Sequence, residues 1–214
     1  MTPNRPIVHV VDDDAQFRAA LSRLLTASGY QVALYDSAER LLEAPLSTQG
    51  GCILLDVRMP GLSGPELQAR LAEMGHPLPI IFLTGHAEVR TGVQAIKTGA
   101  DDYLLKPVSR NVLIEAIRCA LARYERTREL ALRVESAQAR AARFTPRERE
   151  VFALVVRGKL NKQIAYELGT TERTVKAHRH SAMRKLQVQS VAEAVLIAEQ
   201  IGLLAPINVP GGSP

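Results

Sequence analysis

Cysteine is almost missing from this 214-residue chain: Cys52 and Cys119 are the only two, far apart and each set among apolar residues. A disulfide framework or a thiolate metal cluster has no material to form from, and a reducing compartment fits. No apolar run approaches the roughly 18 residues that a bilayer span needs, so no membrane role is expected. The N-terminal segment MTPNRPIVHVV passes at once into a strand-like run and lacks the charged, apolar and small-residue signature of an export signal, so the expected location is the cytoplasm. His9, His76 and His86 lack metal-ligand spacing and read as structural or exposed. Pro and Gly punctuation is absent between Asn111 and Thr145. What is present is an apolar fraction of 46% with 23% charged residues, the balance of a globular protein.

The length suits two small domains, since one core commonly serves roughly 100 to 200 residues. Charge divides the chain unevenly. Residues 1–122 carry eleven cationic side chains against thirteen carboxylates; residues 123–142 carry five against three, and residues 143–214 eleven against six. The net +5 therefore resides in the last third, which points to a polyanionic partner there.

From residue 7 to about 108 short apolar runs alternate with amphipathic segments. IVHVV is followed by a helical stretch from Ala15 to Ala27, QVALY by Ala38 to Ala44, CILLD by Pro65 to Met74, PIIFLT by Glu88 to Thr98, and DDYLL by a last helix. Five such units predict an α/β doubly wound, five-stranded parallel sheet with its ligand site beyond the carboxyl ends of the strands. Those ends hold Asp12, Asp13 and Asp14, then Asp56, Thr84 and Lys106. Clustered carboxylates repel unless neutralised, and Mg²⁺, which takes oxygen ligands and keeps several waters, suits two of them plus a phosphoryl oxygen. A carboxylate can also act as a nucleophile and form an acyl phosphate. Asp14 reads as a helix N-cap and stays outside the metal shell.

VVDDD (10–14), LLDVRMPGLSG (54–64), FLTG (82–85) and DYLLKP (102–107) resemble, in order and spacing, the receiver domain of two-component response regulators. The resemblance covers roughly residues 5–122 and implies a flavodoxin-like domain at 1–122. It implies that Asp56 is the phosphoacceptor and that Asp12, Asp13, Asp56 and the backbone carbonyl of Arg58 hold Mg²⁺. It further implies that Lys106 and Thr84 contact the phosphoryl group, that Tyr103 is an aromatic switch, and that the Lys106–Pro107 bond is cis. Such a domain is a phosphoacceptor rather than an enzyme, with at most slow self-catalysed phosphorylation and dephosphorylation.

Residues 111–142 are helix formers and predict a long helical linker, assigned to 123–142. Leu113, Ile117, Ala120, Tyr124, Thr127, Ala131 and Val134 have the spacing of a weak coiled-coil seam, with an exposed, charged helix as the alternative. After Thr145–Pro146, a cap followed by proline at the first helical position, come four helical stretches broken at Gly158, Gly169 and near Gln187. NKQIAYEL, a turn at Gly169 and ERTVKAHRHSAMRKL form a helix-turn-helix layout, whose second helix enters the major groove. Val175, Met183 and Leu186 should face its core, while Thr174, Lys176, Ala177, His180 and Arg184 face outward. Arg179 and Lys185 read as exposed charges with phosphate within reach.

This segment resembles the four-helix, LuxR/FixJ-type DNA-binding domain of FixJ/NarL regulators, over an all-α domain at 143–205. The resemblance places Lys176 and His180 at DNA, Arg173 and Thr174 near phosphates, and Arg184 more distally. Residues 206–214 read as a disordered tail. Together the resemblances imply a sensor histidine kinase as phosphodonor, a phosphorylation-dependent homodimer, double-stranded promoter DNA as target, RNA polymerase as a further partner, and activation of transcription. A helical domain that binds a protein instead of DNA is the rival, and substituting Lys176 and Arg184 together separates the two.

Overall fold

A computed structural model describes residues 6–46, 50–85 and 89–204, with residues 89–92 described in backbone only. The chain divides into two compact units, Met1–Arg128 and Glu129–Pro214. In the first, β1 (Ile7–Val11), β2 (Gln31–Tyr35), β3 (Gly51–Asp56), β4 (Ile80–Thr84) and β5 (Asp102–Leu105) form one parallel sheet in the order β2-β1-β3-β4-β5. This is the flavodoxin-like order, in which the strand sequence reverses at β1 and β3. The expected doubly wound sheet is what the chain forms.

Successive strand residues point to opposite faces, and both faces are covered. Val8, Val10, Cys52, Leu54, Ile81 and Leu83 pack with Leu21 and Leu25 of α1 (Ala15–Ala27) and Leu113 and Ile117 of α5 (Arg110–Ala141). Val11, Ile53, Leu55 and Phe82 face the other way, onto α2 (Ala38–Glu43), α3 (Gly64–Glu73) and α4 (Val89–Lys97) through Leu41, Leu67, Leu71 and Ala95. All of β3 and β4 is buried, which is why they read as unbroken apolar runs rather than alternating ones. Each such side chain contributes roughly 1.5–3 kcal/mol on burial, and Leu54→Ala at the centre would cost about 2–5 kcal/mol.

The helix following β5 and the expected linker are one element, α5, of 32 residues. The coiled-coil spacing within it has a different cause. Leu113, Ile117 and Ala120 are buried in the core shared with α1, and Tyr124 in the core on the other sheet face. Thr127 and Ala131 are exposed and Val134 is half-buried. The first half of the repeat is thus core packing. Cys119 also departs from expectation: it is exposed, with Sγ against Glu115, because its position falls off the buried stripe of α5.

The second unit contains α6 (Pro146–Val156), α7 (Asn161–Glu167), α8 (Glu172–Leu186) and α9 (Val191–Gln200). Thr145 caps α6 and forms a reciprocal capping box with Glu148. Gly169, at φ +60°, makes the turn between α7 and α8, and Thr171 caps α8 by accepting from the Thr174 N–H. Helix α8 ends at Gln187, a non-glycine residue at φ 61° that takes the left-handed C-cap conformation. Phe144, Phe152, Ala182, Leu186, Ala194 and Ala198 form one core cluster, and Val151, Val155, Ile164 and Val175 another. The inward face of α8 is as expected at Val175 and Leu186, with Met183 partly buried and the smaller Ala182 fully so. Among the described residues no helix is long and apolar enough to cross a membrane. The tail read as disordered lies outside the described residues, as does His86.

Candidate functional site

The register of the sheet brings its acidic strand ends together. Val11 pairs with Leu55, Asp56 with Leu83, and Thr84 with Leu105, so Asp12 and Asp56 leave adjacent strands at one level. Lys106 follows β5, and its N–H donates to the Thr84 carbonyl at 2.7 Å. Its ammonium reaches across the edge and donates to Asp12 Oδ2 at 2.5 Å and Asp56 Oδ1 at 2.7 Å. Asp12 is 1% exposed and Asp56 7%. The remaining oxygens are also used: Asp12 Oδ1 accepts from the Asp14 N–H at 2.9 Å and Asp56 Oδ2 from the Arg58 N–H at 3.0 Å.

Burial pushes the Asp12 carboxyl above its ordinary range, against the hydrogen bond and charge of Lys106. Burial acts on Lys106 in the opposite sense, but its two carboxylate partners outweigh it and hold the ammonium above the usual lysine range. Asp13 is exposed beside this pair, and among the described residues no three His, Cys, Asp or Glu side chains converge on one point. Asp12 and Asp56 nevertheless fit a Mg²⁺ ion, because that ion needs only one or two carboxylates and completes its shell with water or phosphate oxygens. Asp12, crowded and held above its usual range, is the oxygen donor such a cation would relieve.

Asp14 caps α1, accepting from the N–H groups of Gln16 and Phe17 at 2.8 and 3.1 Å, which leaves it outside the pair. Thr84 is buried at the end of β4. Tyr103 is half-buried with its ring centroid 6.3 Å from that of Phe82, and its hydroxyl has no partner among the described residues. The Lys106–Pro107 bond is cis, as the resemblance implies. Two neighbours escaped the sequence reading. Arg18 Nη1 donates to the Asp12 carbonyl at 2.5 Å, and the Phe17 ring centroid lies 4.3 Å from Lys106 Nζ. The signal for both is the Asp14 cap, which fixes the start of α1 and hence which residues occupy its first turn.

In the second unit α8 presents Arg173, Lys176, Ala177, His180 and Arg184 as an exposed face with helical spacing, and Thr174 half-buried at its start. Arg179 and Lys185 do not belong to it. Arg179 donates to Asn161 Oδ1 at 3.2 Å, and Lys185 donates to Glu148 Oε2 at 2.6 Å and to the Arg143 carbonyl at 3.0 Å. Both turn toward the other helices, Arg179 to an amide oxygen and Lys185 to a buried carboxylate. Glu148, 4% exposed, also accepts from Ser181 Oγ at 2.7 Å and the Thr145 N–H at 2.8 Å. The Lys185 and Ser181 hydrogen bonds hold its carboxyl at about 2.

Known proteins match both halves. Residues 8–118 match the response regulator receiver domain, and residues 142–198 the bacterial regulatory proteins of the luxR family. The response regulator protein TmoT of Ectopseudomonas mendocina is 39% identical over 201 residues, covering 94% of this chain and 91% of that protein. The transcriptional regulatory protein FixJ of Azorhizobium caulinodans is 41% identical over 197 residues, 92% of this chain and 93% of its own. Among solved structures, the response regulator StyR superposes with a TM-score of 0.82 at 41% identity, over 92% of this chain and 99% of that one. Full-length FixJ from B. japonicum gives 0.58 at 38% identity, over 93% and 98%. With a receiver sheet at one end and a luxR-family helical unit at the other, the chain belongs to the two-component response regulators that bind DNA through a LuxR-type domain.

Proposed function

We propose that Asp56 is the phosphoacceptor and that its phosphorylation by a sensor histidine kinase switches a promoter-binding activity in the α8 unit. The observation that carries this reading is the Lys106 ammonium held between Asp12 and Asp56 at a parallel-sheet edge. A carboxylate nucleophile there needs a neutralised approach for an anionic phosphoryl group. Phosphoryl transfer is catalysed largely by positioning and charge neutralisation, so little other machinery is required. Mg²⁺, when bound by Asp12, Asp13, Asp56 and the Arg58 carbonyl, supplies the divalent charge that screens donor phosphate from carboxylate. Lys106 moves its ammonium from Asp56 to the transferred group, and Thr84 offers its hydroxyl to another phosphoryl oxygen. Tyr103, whose buried hydroxyl has no partner among the described residues, responds to that rearrangement as the switch. The chain serves as a phosphoacceptor rather than an enzyme.

The output follows from population shift: phosphorylation favours a receiver state that pairs with a second copy. Two α8 helices then occupy two half-sites of promoter DNA, with Lys176, Ala177 and His180 at base edges, Arg173 and Thr174 at phosphates and Arg184 further along. The receiver spans 1–122, the linker 123–142 and the DNA-binding domain 143–205. The protein acts in the cytoplasm as a transcriptional activator, with RNA polymerase as its further partner.

The test is to incubate the full chain and its Asp56→Asn variant with Mg²⁺ and acetyl phosphate, and to measure mass and oligomeric state. A phosphoryl mass increment and dimer in the wild type alone are expected. Equal behaviour of the two proteins would remove Asp56 as the switch.

A further inference from the structure

Phe17 stands on the first turn of α1, outside every motif that marks the acidic edge. Its backbone N–H donates to the Asp14 cap, which fixes the phase of the turn and directs the ring toward the sheet edge. The ring is partly buried against the core beneath β1 and β3. Its centroid lies 4.3 Å from Lys106 Nζ, well inside the roughly 6 Å over which an ammonium is attracted to an aromatic face. An ammonium has three N–H donors. On Lys106 two go to Asp12 Oδ2 and Asp56 Oδ1, and the aromatic ring lies against the same ammonium. The lysine side chain is only 20% exposed in consequence.

We propose that Phe17 is a positioning residue for phosphoryl transfer, holding the Lys106 ammonium over the carboxylate pair through the electron-rich face of its ring. The inference rests on the receiver reading above. In the transfer an Asp56 oxygen bonds to phosphorus while the phosphorus–oxygen bond of the donor breaks; acetyl phosphate releases acetate, and the chain neither gains nor loses a proton or an electron. Lys106 must exchange its contact with Asp56 for one with a phosphoryl oxygen while staying at the site. During that exchange the hydrogen bond to Asp56 is given up, and Asp12 is the carboxylate that still holds the ammonium. A fixed ring face keeps it within reach, whereas an aliphatic side chain of comparable bulk fills the space without attracting the charge.

The experiment compares full-length wild type, Phe17→Leu and Phe17→Tyr for the initial rate of Asp56 labelling by acetyl phosphate with Mg²⁺, beside thermal unfolding without donor. Phe17→Leu is expected to label about 3- to 10-fold more slowly, the loss that one partly desolvated cation–π contact represents. Phe17→Tyr, which keeps the ring, is expected within about twofold of wild type. Both should melt close to wild type. Wild-type rates in Phe17→Leu, or equal slowing in both variants, would overturn the proposal, since charge attraction by the ring would then contribute nothing. No labelling of the wild type would instead bring down the receiver reading and this inference with it, an outcome distinct from labelling that ignores Phe17.

Discussion

Lys106 and Asp56, 50 residues apart in sequence, meet at 2.7 Å between Nζ and Oδ1, and the same ammonium neutralises Asp12. Lys106→Met leaves two buried carboxylates facing each other. Removing one partner of a buried pair is costly, and partial exposure of the lysine brings the expected loss to about 2 kcal/mol at pH 7. The pH dependence has a definite sign. Burial raises the Asp12 carboxyl in the folded protein, so the folded state keeps that proton to higher pH than the unfolded chain does. Stability therefore falls as pH rises from the ordinary carboxylate range through the raised value. The variant's deficit should be largest at pH 7 and shrink toward pH 4 in urea titrations without divalent cations. A constant deficit across that range would assign it to packing instead.

His9 sits in β1 with Nδ1 3.1 Å from the Tyr35 hydroxyl, and its Nε2 has no partner among the described residues. Burial, and then the charge of His76, lower it from 6.5 to about 4. The unfolded chain thus binds a proton that the folded receiver refuses, so this stability is complete above 6.5 and is lost as pH falls toward 4. Discounted for residual exposure, the loss is on the order of 2 kcal/mol. His9→Gln should flatten the fall in melting temperature between pH 6.5 and 4. An unchanged slope would show that other groups govern acid unfolding.

The sheet and the identity of its acidic edge were legible because each rests on a local signal: unbroken apolar runs for β3 and β4, and polar residues where those runs stop. Asp14 was legible as a cap for the same reason. The Phe17 contact with Lys106 was not, since it joins α1 to the end of β5 and depends on helix phase. Spacing in α5 misled for a related reason. A stripe through Leu113, Ile117, Ala120 and Tyr124 looks alike whether it faces a second helix or its own sheet, and only the tertiary fold decides. Lys185 and Arg179 looked like solvated charges because their partners, Glu148 and Asn161, are distant in sequence.

Glu148 ties α6 to α8 through Ser181 and Lys185 while closing the Thr145 capping box. Glu148→Ala should destabilise the C-terminal unit by about 1.5–3 kcal/mol, the range for hydrogen bonds to a charged group. Lys185→Met should cost less than additively in the double variant, because both remove one contact. The Glu148 carboxyl titrates at about 2 in the folded state, below its ordinary 4.5, so its contribution is complete above 4.5 and fades as pH falls toward 2. Guanidinium unfolding of the two single variants and the double variant measures the coupling, and strict additivity would deny it.

The exposed face of α8 makes a sharper claim about charge than the chain's net +5 does, because it singles out the cations proposed above to meet DNA. Each phosphate neutralised by a lysine or arginine releases condensed counterions, so the slope of log affinity against log salt counts such contacts at about 0.9 each. Lys176→Ala removes the proposed base contact from the middle of the face, so affinity should fall and sequence preference relax with the slope nearly intact. A slope lower by about 1 with sequence preference kept would make Lys176 a phosphate contact instead. Arg133→Ala is the control: it removes the same charge from α5, where Arg133 is paired with Glu129 at 2.6 Å and already half-neutralised. Fluorescence anisotropy with double-stranded DNA across a salt series reads both variants. If Arg133→Ala and Lys176→Ala weaken binding equally, the attraction comes from net charge, and α8 has no special claim to the groove.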